Sequence, residues 1–144
     1  MPNLKNNIKL FKEILKKEGL KYTPQRESVL KIILYSKGHL DCEDLFGLIR
    51  SKNIKVSRST LYRTLDILVK HNMIRKLDLG DGVFRYEKKI NVPHHDHMIC
   101  VNCSDIIEFV NDEIENIQLD IAKSFKFKLI RHIHQLFGIC ENCQ

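Results

Sequence analysis

The sequence predicts an α+β protein in two parts: an N-terminal winged helix-turn-helix domain and a C-terminal α/β dimerisation domain. Three observations carry that prediction. Apolar residues recur at helical spacing through the first 70 positions, and a short hairpin pattern around Gly80-Asp81-Gly82 follows them. Beyond Pro93 come two Cys-x-x-Cys pairs, Cys100-Val-Asn-Cys103 and Cys140-Glu-Asn-Cys143, set among alternating apolar residues.

The elements can be taken in order. Leu4, Ile8, Phe11 and Leu15 fall on one helical face with lysines between them, and Gly19 marks the end of that helix. Thr23 is a good N-cap and Pro24 suits the first helical position, where no amide partner is needed. The helix they open buries Val29, Leu30, Ile33 and Leu34. Asp41 caps a third helix at about 42–52, with Leu45, Leu48 and Ile49 inward. Cys42, outside both cysteine pairs, is expected as a small buried apolar residue. Ser57-Arg-Ser-Thr-Leu-Tyr-Arg-Thr64 starts a fourth helix, with Leu61, Leu65 and Leu68 toward the core. Residues 74–79 and 83–88 are expected as two strands joined by the glycine-flanked turn.

Between Lys88 and Pro93 the composition changes, and Pro93 disfavours helix before it. The expected domains are therefore 1–89, the winged-helix domain, and 90–144, the metal-binding dimerisation domain. In the second, residues 105–110 form a strand carrying Glu108. Asn111 or Asp112 caps a helix to about Ser124, with Ile114, Ile117 and Ile121 inward. Residues 125–139 alternate as a strand, with Phe125, Phe127, Leu129, Ile133, Phe137 and Ile139 on one face and His132 and His134 on the other. One helix and a few strands leave an apolar face to cover, and a second copy in a two-fold homodimer is expected to cover it.

Charge divides the same way. Residues 1–89 carry 20 lysines and arginines against 10 acids, a net of +10; residues 90–144 carry 4 against 8, a net of −4. A basic half suits a polyanion and an acidic half suits cations. Lys21 and Arg26 flank a helix N-terminus, itself favourable to anions. At the start of the fourth helix Arg58, Ser59, Thr60, Tyr62 and Arg63 stand clear of its apolar face. They offer donors for phosphates and base edges and a ring for a thymine methyl, which points to double-stranded DNA. No apolar run approaches a membrane span, and Met1-Pro-Asn-Leu-Lys has no signal core, so the expectation is a cytoplasmic protein with no membrane partner.

The cysteine pairs have the spacing of a tetrahedral thiolate site, and Cys100, Cys103, Cys140 and Cys143 are expected to hold a structural Zn²⁺. In His94-His95-Asp96-His97, residues two apart share a face of an extended segment, so His95 and His97 can reach one ion. Imidazole with carboxylate suits Fe²⁺, Mn²⁺ or Zn²⁺. A zinc-dependent hydrolase is the competing class, since such a cluster could activate water. It shows no required nucleophile and leaves the charge split unexplained, so no enzymatic activity and no small organic substrate are expected. A zinc-ribbon module that binds protein leaves the basic helices without a purpose.

Lys21-Tyr-Thr-Pro-Gln-Arg26, Thr60-Leu-Tyr-Arg63, His94-His-Asp-His-Met-Ile-Cys-Val-Asn-Cys103, Ile107-Glu-Phe109 and Cys140-Glu-Asn-Cys143 together resemble the ferric uptake regulator family over nearly the whole chain. The resemblance implies a metal-dependent repressor, most simply of iron-uptake genes, that binds a palindromic operator as a dimer. It implies three metal sites: the four cysteines for structural zinc; His39, Glu87, His95, His97 and Glu108 for a regulatory ion, Fe²⁺ first with Mn²⁺ or Zn²⁺ as alternatives; and His94 or Asp96 with Glu115 and His132 for a third. It also implies that Tyr62 touches bases, Arg63 phosphates and Lys21 the minor groove. Zinc-uptake and peroxide-sensing regulators are the alternatives within the family. Ser57-Arg58-Ser59 departs from its usual small, uncharged residues, which implies a different operator preference.

Overall fold

The structure, a computed structural model, describes residues 3–144. Its contacts divide the chain into two compact units, Met1–Val92 and Pro93–Gln144. Among the described residues, no helix is long and apolar enough to cross a membrane.

The first unit holds four helices and a small sheet: α1 (Leu4–Lys17), α2 (Pro24–Tyr35), β1 (Leu40–Asp41), α3 (Cys42–Ser51), α4 (Arg58–Lys70), β2 (Ile74–Asp78) and β3 (Phe84–Lys88). Each helix begins where a short polar side chain takes an orphan amide. Asn3, Thr23, Asp41 and Ser57 accept from the amides of Asn6, Arg26, Asp44 and Thr60. Asp41 and Asp44 cap reciprocally. Gly19, at φ +68°, lets the Leu20 amide close on the Leu15 carbonyl and stops α1. The antiparallel sheet has the order β1-β3-β2. At the hairpin turn Gly80 and Gly82 both take positive φ, and the Asp78 and Asp81 carboxylates accept from the Gly80 and Val83 amides. Three helices followed by this hairpin make the winged helix-turn-helix.

The helical stripes converge on one core of Phe11, Leu15, Leu30, Ile33, Leu45, Ile49, Leu61, Leu65 and Leu68, all essentially inaccessible. Leu48 instead stays partly exposed, at the edge of the inner face of α3, and Cys42 is half-buried against the core rather than within it. Ile90 packs on this core, and the Lys89 and Ile90 amides both donate to the Met73 carbonyl. Residues 89–92 therefore belong to the first unit, and the division falls at 92/93 rather than at the expected 89/90.

The second unit contains β4 (Asp96–Cys100), β5 (Ile106–Phe109), α5 (Asp112–Ser124), β6 (Gln135–Gly138) and a final 3-10 turn, Glu141–Cys143. Its sheet order is β5-β4-β6, with β4 antiparallel to β5 and parallel to β6. Its interior is thin: Ile99, Cys100 and Ala122 are the buried apolar residues, beside the polar His95, Asp96 and His97. Two expectations need correcting. Ile117 and Ile121, expected inward, are 57% and 54% exposed, because nothing within the unit lies against that face of α5. The long strand at 125–139 shrinks to Gln135–Gly138, because only β4 offers it hydrogen bonds, and only from His97↔Gln135 onward.

Truncating the first unit's core is expected to be costly in the usual way for a large-to-small change. Leu65→Ala should lose about 2–5 kcal/mol by urea denaturation followed by circular dichroism. A loss below about 1 kcal/mol would show that the site collapses around the deletion or is less central than its burial implies.

Candidate metal centres and nucleic-acid interface

The thiolate cluster is built from two turns of the second unit. β4 ends at Cys100, whose carbonyl accepts from the Ser104 amide, while its own amide donates to the Asp105 carbonyl. Ser104 takes φ +64°, which folds Cys103 back toward Cys100. The Val101 amide donates to Gly138, which ties this turn to the end of β6, and the 3-10 turn then delivers Cys140 and Cys143. All four Sγ atoms lie within 4.8 Å of one another, and none is in a disulfide.

Distances and acidity both fit zinc. Zinc–sulfur bonds of about 2.3 Å in a tetrahedron place the sulfurs about 3.8 Å apart. Cys103 Sγ and Cys140 Sγ are 3.7 Å apart. The Cys140 amide donates to Cys100 Sγ at 3.3 Å, and with the Cys103 amide it pulls the Cys100 thiol down to about 6. Cys143 is pushed up to about 12 by the neighbouring sulfurs of Cys140 and Cys103. The first thiolate forms easily and the last is resisted, so a divalent cation is what the group lacks to be fully ionised.

A second cluster lies in the same unit and uses nitrogen and oxygen. His94 Nε2 is 3.3 Å from Asp96 Oδ1 and 3.3 Å from Glu115 Oε1; His132 Nε2 is 3.4 Å from each of the same two oxygens. Donors bound at about 2.05 Å in a tetrahedron stand about 3.3 Å apart, so these four edges match a zinc-sized ion. His132 Nε2 and Glu115 Oε1 are buried without a hydrogen-bond partner. His94 and Asp96, expected as alternatives, both converge on the cluster. His134 was not expected at a site, yet its Nδ1 lies 3.5 Å from Asp96 Oδ2, beside the cluster. Its i, i+2 relation to His132 was the available signal.

The five residues expected to bind the regulatory ion divide between the units, and each part is described within its own. In the first unit, the register Leu40↔Tyr86 sets His39 opposite Glu87, and His39 Nε2 lies 2.8 Å from Glu87 Oε2. Arg75 holds the other oxygen of Glu87 at 3.0 Å. In the second unit, His97 pairs across the sheet with Glu108, and the His95 and His97 rings are 4.9 Å apart. His95 Nε2 lies 3.6 Å from Glu108 Oε1. Its Nδ1 donates to the Pro93 carbonyl at 3.1 Å, which fixes the tautomer.

The residues expected at DNA gather at the N-termini of α2 and α4. A groove of about 560 Å³ is lined by Lys21, Thr23, Gln25, Arg26, Lys55, Ser57 and Thr60, among others. Two helix N-termini and three cations make it an anion site by construction. Tyr62 is 45% exposed, and Ser59 and Arg63 are exposed on the same helix. Ser59 and Thr60 meet the Ser57 hydroxyl, and two arginines are engaged as well. Arg26 Nη1 donates to the Lys21 carbonyl at 2.7 Å, which braces the approach to α2. Arg58 is clasped by Glu43 on α3, an acid that sequence reasoning passed over because an exposed glutamate in a first helical turn is ordinary.

Comparisons agree with this arrangement. The ferric uptake regulator family profile matches residues 17–137. The ferric uptake regulation protein of Campylobacter jejuni is 44% identical over 138 residues, spanning 94% of this chain and 87% of that one. The Helicobacter pylori ferric uptake regulator, a structure described as revealing three functional metal-binding sites, superposes with a TM-score of 0.88 at 38% identity, over 98% of this chain and 93% of that one. The ferric uptake regulator of Francisella tularensis, solved with iron, superposes with a TM-score of 0.77 at 32% identity, over 87% and 95%.

Zinc uptake by the four sulfurs should release protons, Cys143's among them. Calorimetry in two buffers of different ionisation enthalpy should show that release, and zinc affinity should rise with pH. Cys103→Ser should lose zinc stoichiometry outright; full zinc retention would show that the thiolate cluster is not the tight site.

Proposed function

We propose that this chain, which belongs to the ferric uptake regulator family, is an iron-responsive repressor that binds palindromic operator DNA as a cytoplasmic homodimer when its regulatory metal site is filled. Membership makes it a metal-dependent transcriptional regulator, not an enzyme. The ion, the palindrome and the dimer are the proposal, and one observation carries it. Beside a sulfur cluster stands a divided set of nitrogen and oxygen donors, His39 with Glu87 in the first unit and His95, His97 and Glu108 in the second.

Magnitudes assign the two kinds of site. Thiolate-rich structural zinc is worth roughly 10–16 kcal/mol of apparent binding energy, so it is not shed when cell metal fluctuates. A switch must empty. Moving a two-state equilibrium from 1:99 to 99:1 takes about 5.5 kcal/mol of differential binding, and micromolar affinity, about 8 kcal/mol, leaves room for it. In the proposal one ion takes donors from both units, fixes the joint between them and sets two α4 helices at operator spacing. Linkage then makes operator DNA tighten the metal by the same factor. The His94, Asp96, Glu115, His132 cluster supplies a third site, and the Helicobacter pylori relative is described as having three metal-binding sites.

A dimer is supported by what the second unit leaves uncovered. Phe125, Phe127, Ile130 and Ile133 are 65–88% exposed, large apolar side chains of the kind a second copy would cover. Ile133→Glu should give a monomer in sedimentation analysis, and a variant that stays dimeric would remove this face from the interface.

The central experiment starts by selecting an operator from a random duplex pool with Mn²⁺ present, then titrates binding with Fe²⁺, Mn²⁺ and Zn²⁺ with and without peroxide. His97→Ala should keep one zinc per chain and its fold, but lose metal-stimulated operator binding by about tenfold or more. A full metal response in that variant would sink the regulatory assignment. Response to Zn²⁺ alone would make the chain a zinc-uptake regulator, and loss of binding after Fe²⁺ with peroxide would make it a peroxide sensor.

A further inference from the structure

Arg58 is the first residue of α4, the helix offered to DNA, and a cation there is out of place. A helix N-terminus carries partial positive charge, and α4 has no acidic residue in its own first turn. The missing acid comes from α3. Arg58 Nη1 and Nη2 donate to Glu43 Oε1 and Oε2, the second at 3.2 Å, in a two-pronged fork. The guanidinium also lies over the Phe46 ring, 4.5 Å from its centroid. Arg58 holds the Glu43 carboxyl below its usual range. Both side chains are more than half exposed, so the pair can exchange with solvent or with another anion.

We infer that Glu43 is an autoinhibitory residue: it occupies the donor edge of Arg58, and DNA gains that guanidinium only by displacing it. The inference rests on the DNA-binding function proposed above. On random DNA, affinity comes almost wholly from phosphate neutralisation, and a guanidinium already held by a carboxylate gains little from one more phosphate. On an operator, base-edge contacts elsewhere on α4 fix the register, and an aligned acceptor then competes with Glu43 for the fork. Glu43 thereby lowers affinity for both: an operator that displaces it pays the cost of opening the fork, and random DNA that leaves the fork closed forgoes one phosphate contact.

The test is a double-mutant cycle on the full metal-loaded chain, with a random-sequence 30-base-pair duplex and the selected operator as probes. Glu43→Gln should bind the random duplex at least about threefold more tightly, and the slope of log affinity against log salt should steepen by about 0.9, one phosphate's worth. Operator affinity should rise by at least the same factor, because the fork no longer has to be opened. In an Arg58→Ala background the same substitution should change nothing. Glu43→Ala repeats the measurement, and thermal melting checks that each variant is folded. An unchanged slope, or a gain that survives Arg58→Ala and so reflects net charge alone, overturns the inference while the DNA-binding function stands. If the wild-type protein prefers no duplex over the random one, the function fails and the role of Glu43 falls with it.

Discussion

Four thiols within 4.8 Å of one another cannot all ionise without a cation among them, and the second unit depends on that constraint. Its buried apolar residues are few, and its apolar helix face is exposed. A segment of this size rarely gains enough from burial to offset its chain entropy. What would close it is a cross-link: the turn after β4 and the turn after β6, 37 residues apart at Cys103 and Cys140, meet at sulfur, where a divalent ion would tie them. Hydrogen bonding with Cys140 and Cys103 pushes the Cys143 thiol up to about 12, and a divalent ion would offset that resistance to ionisation. Metal affinity and folding are then one quantity for this unit.

β4 and the two extended residues before it distribute donors by the period of a strand. His95 and His97 fall on one face, His94 and Asp96 on the other, and Cys100 closes its end. Three donor sets thus share seven consecutive residues. A slip of one residue in pairing would exchange the donors of two sets, so the register His97↔Glu108 and Met98↔Ile107 is a chemical requirement as much as a packing one. Buried polar groups such as Asp96, 2% exposed, are costly unless satisfied. Asp96 is shared between His94, His132 and His134, which explains how a carboxylate can occupy the thin interior.

The first unit was legible because its burial partners lie within the same chain. Every position placed on the inner faces of α2 and α4 is buried, and Thr23, Asp41 and Ser57 cap where their residue types indicate. The second unit was legible in its ligands and not in its packing. Spacing alone located the four cysteines and the His95, His97 pair, while Glu115 and His132 came only through the family resemblance, because α5 and the segment before β6 are remote from the motif. Ile117, Ile121 and residues 125–134 misled for one physical reason. Their apolar period describes a surface meant for burial, and periodicity does not say whether the covering layer belongs to the same molecule. Glu43 and His134 were missed because each matters through a neighbour distant in sequence.

Charge in the first unit is arranged against its own stability. Lys21, Arg26 and Lys55 surround a groove where two helix N-termini already add positive potential, and only Arg58 nearby has an acidic clasp. Like charges within a Debye length of about 8–10 Å repel at physiological salt. A fold selected for stability alone would scatter acids there, as the first turn of α5 does with Asp112, Glu113 and Glu115. The core of α1 to α4 is what tolerates the repulsion, and a polyanion in the groove relieves it. The clasped arginine is then the informative exception: among Lys21, Arg26, Lys55 and Arg58 only Arg58 is paired with an acid, and a duplex that uses it must first open that pair.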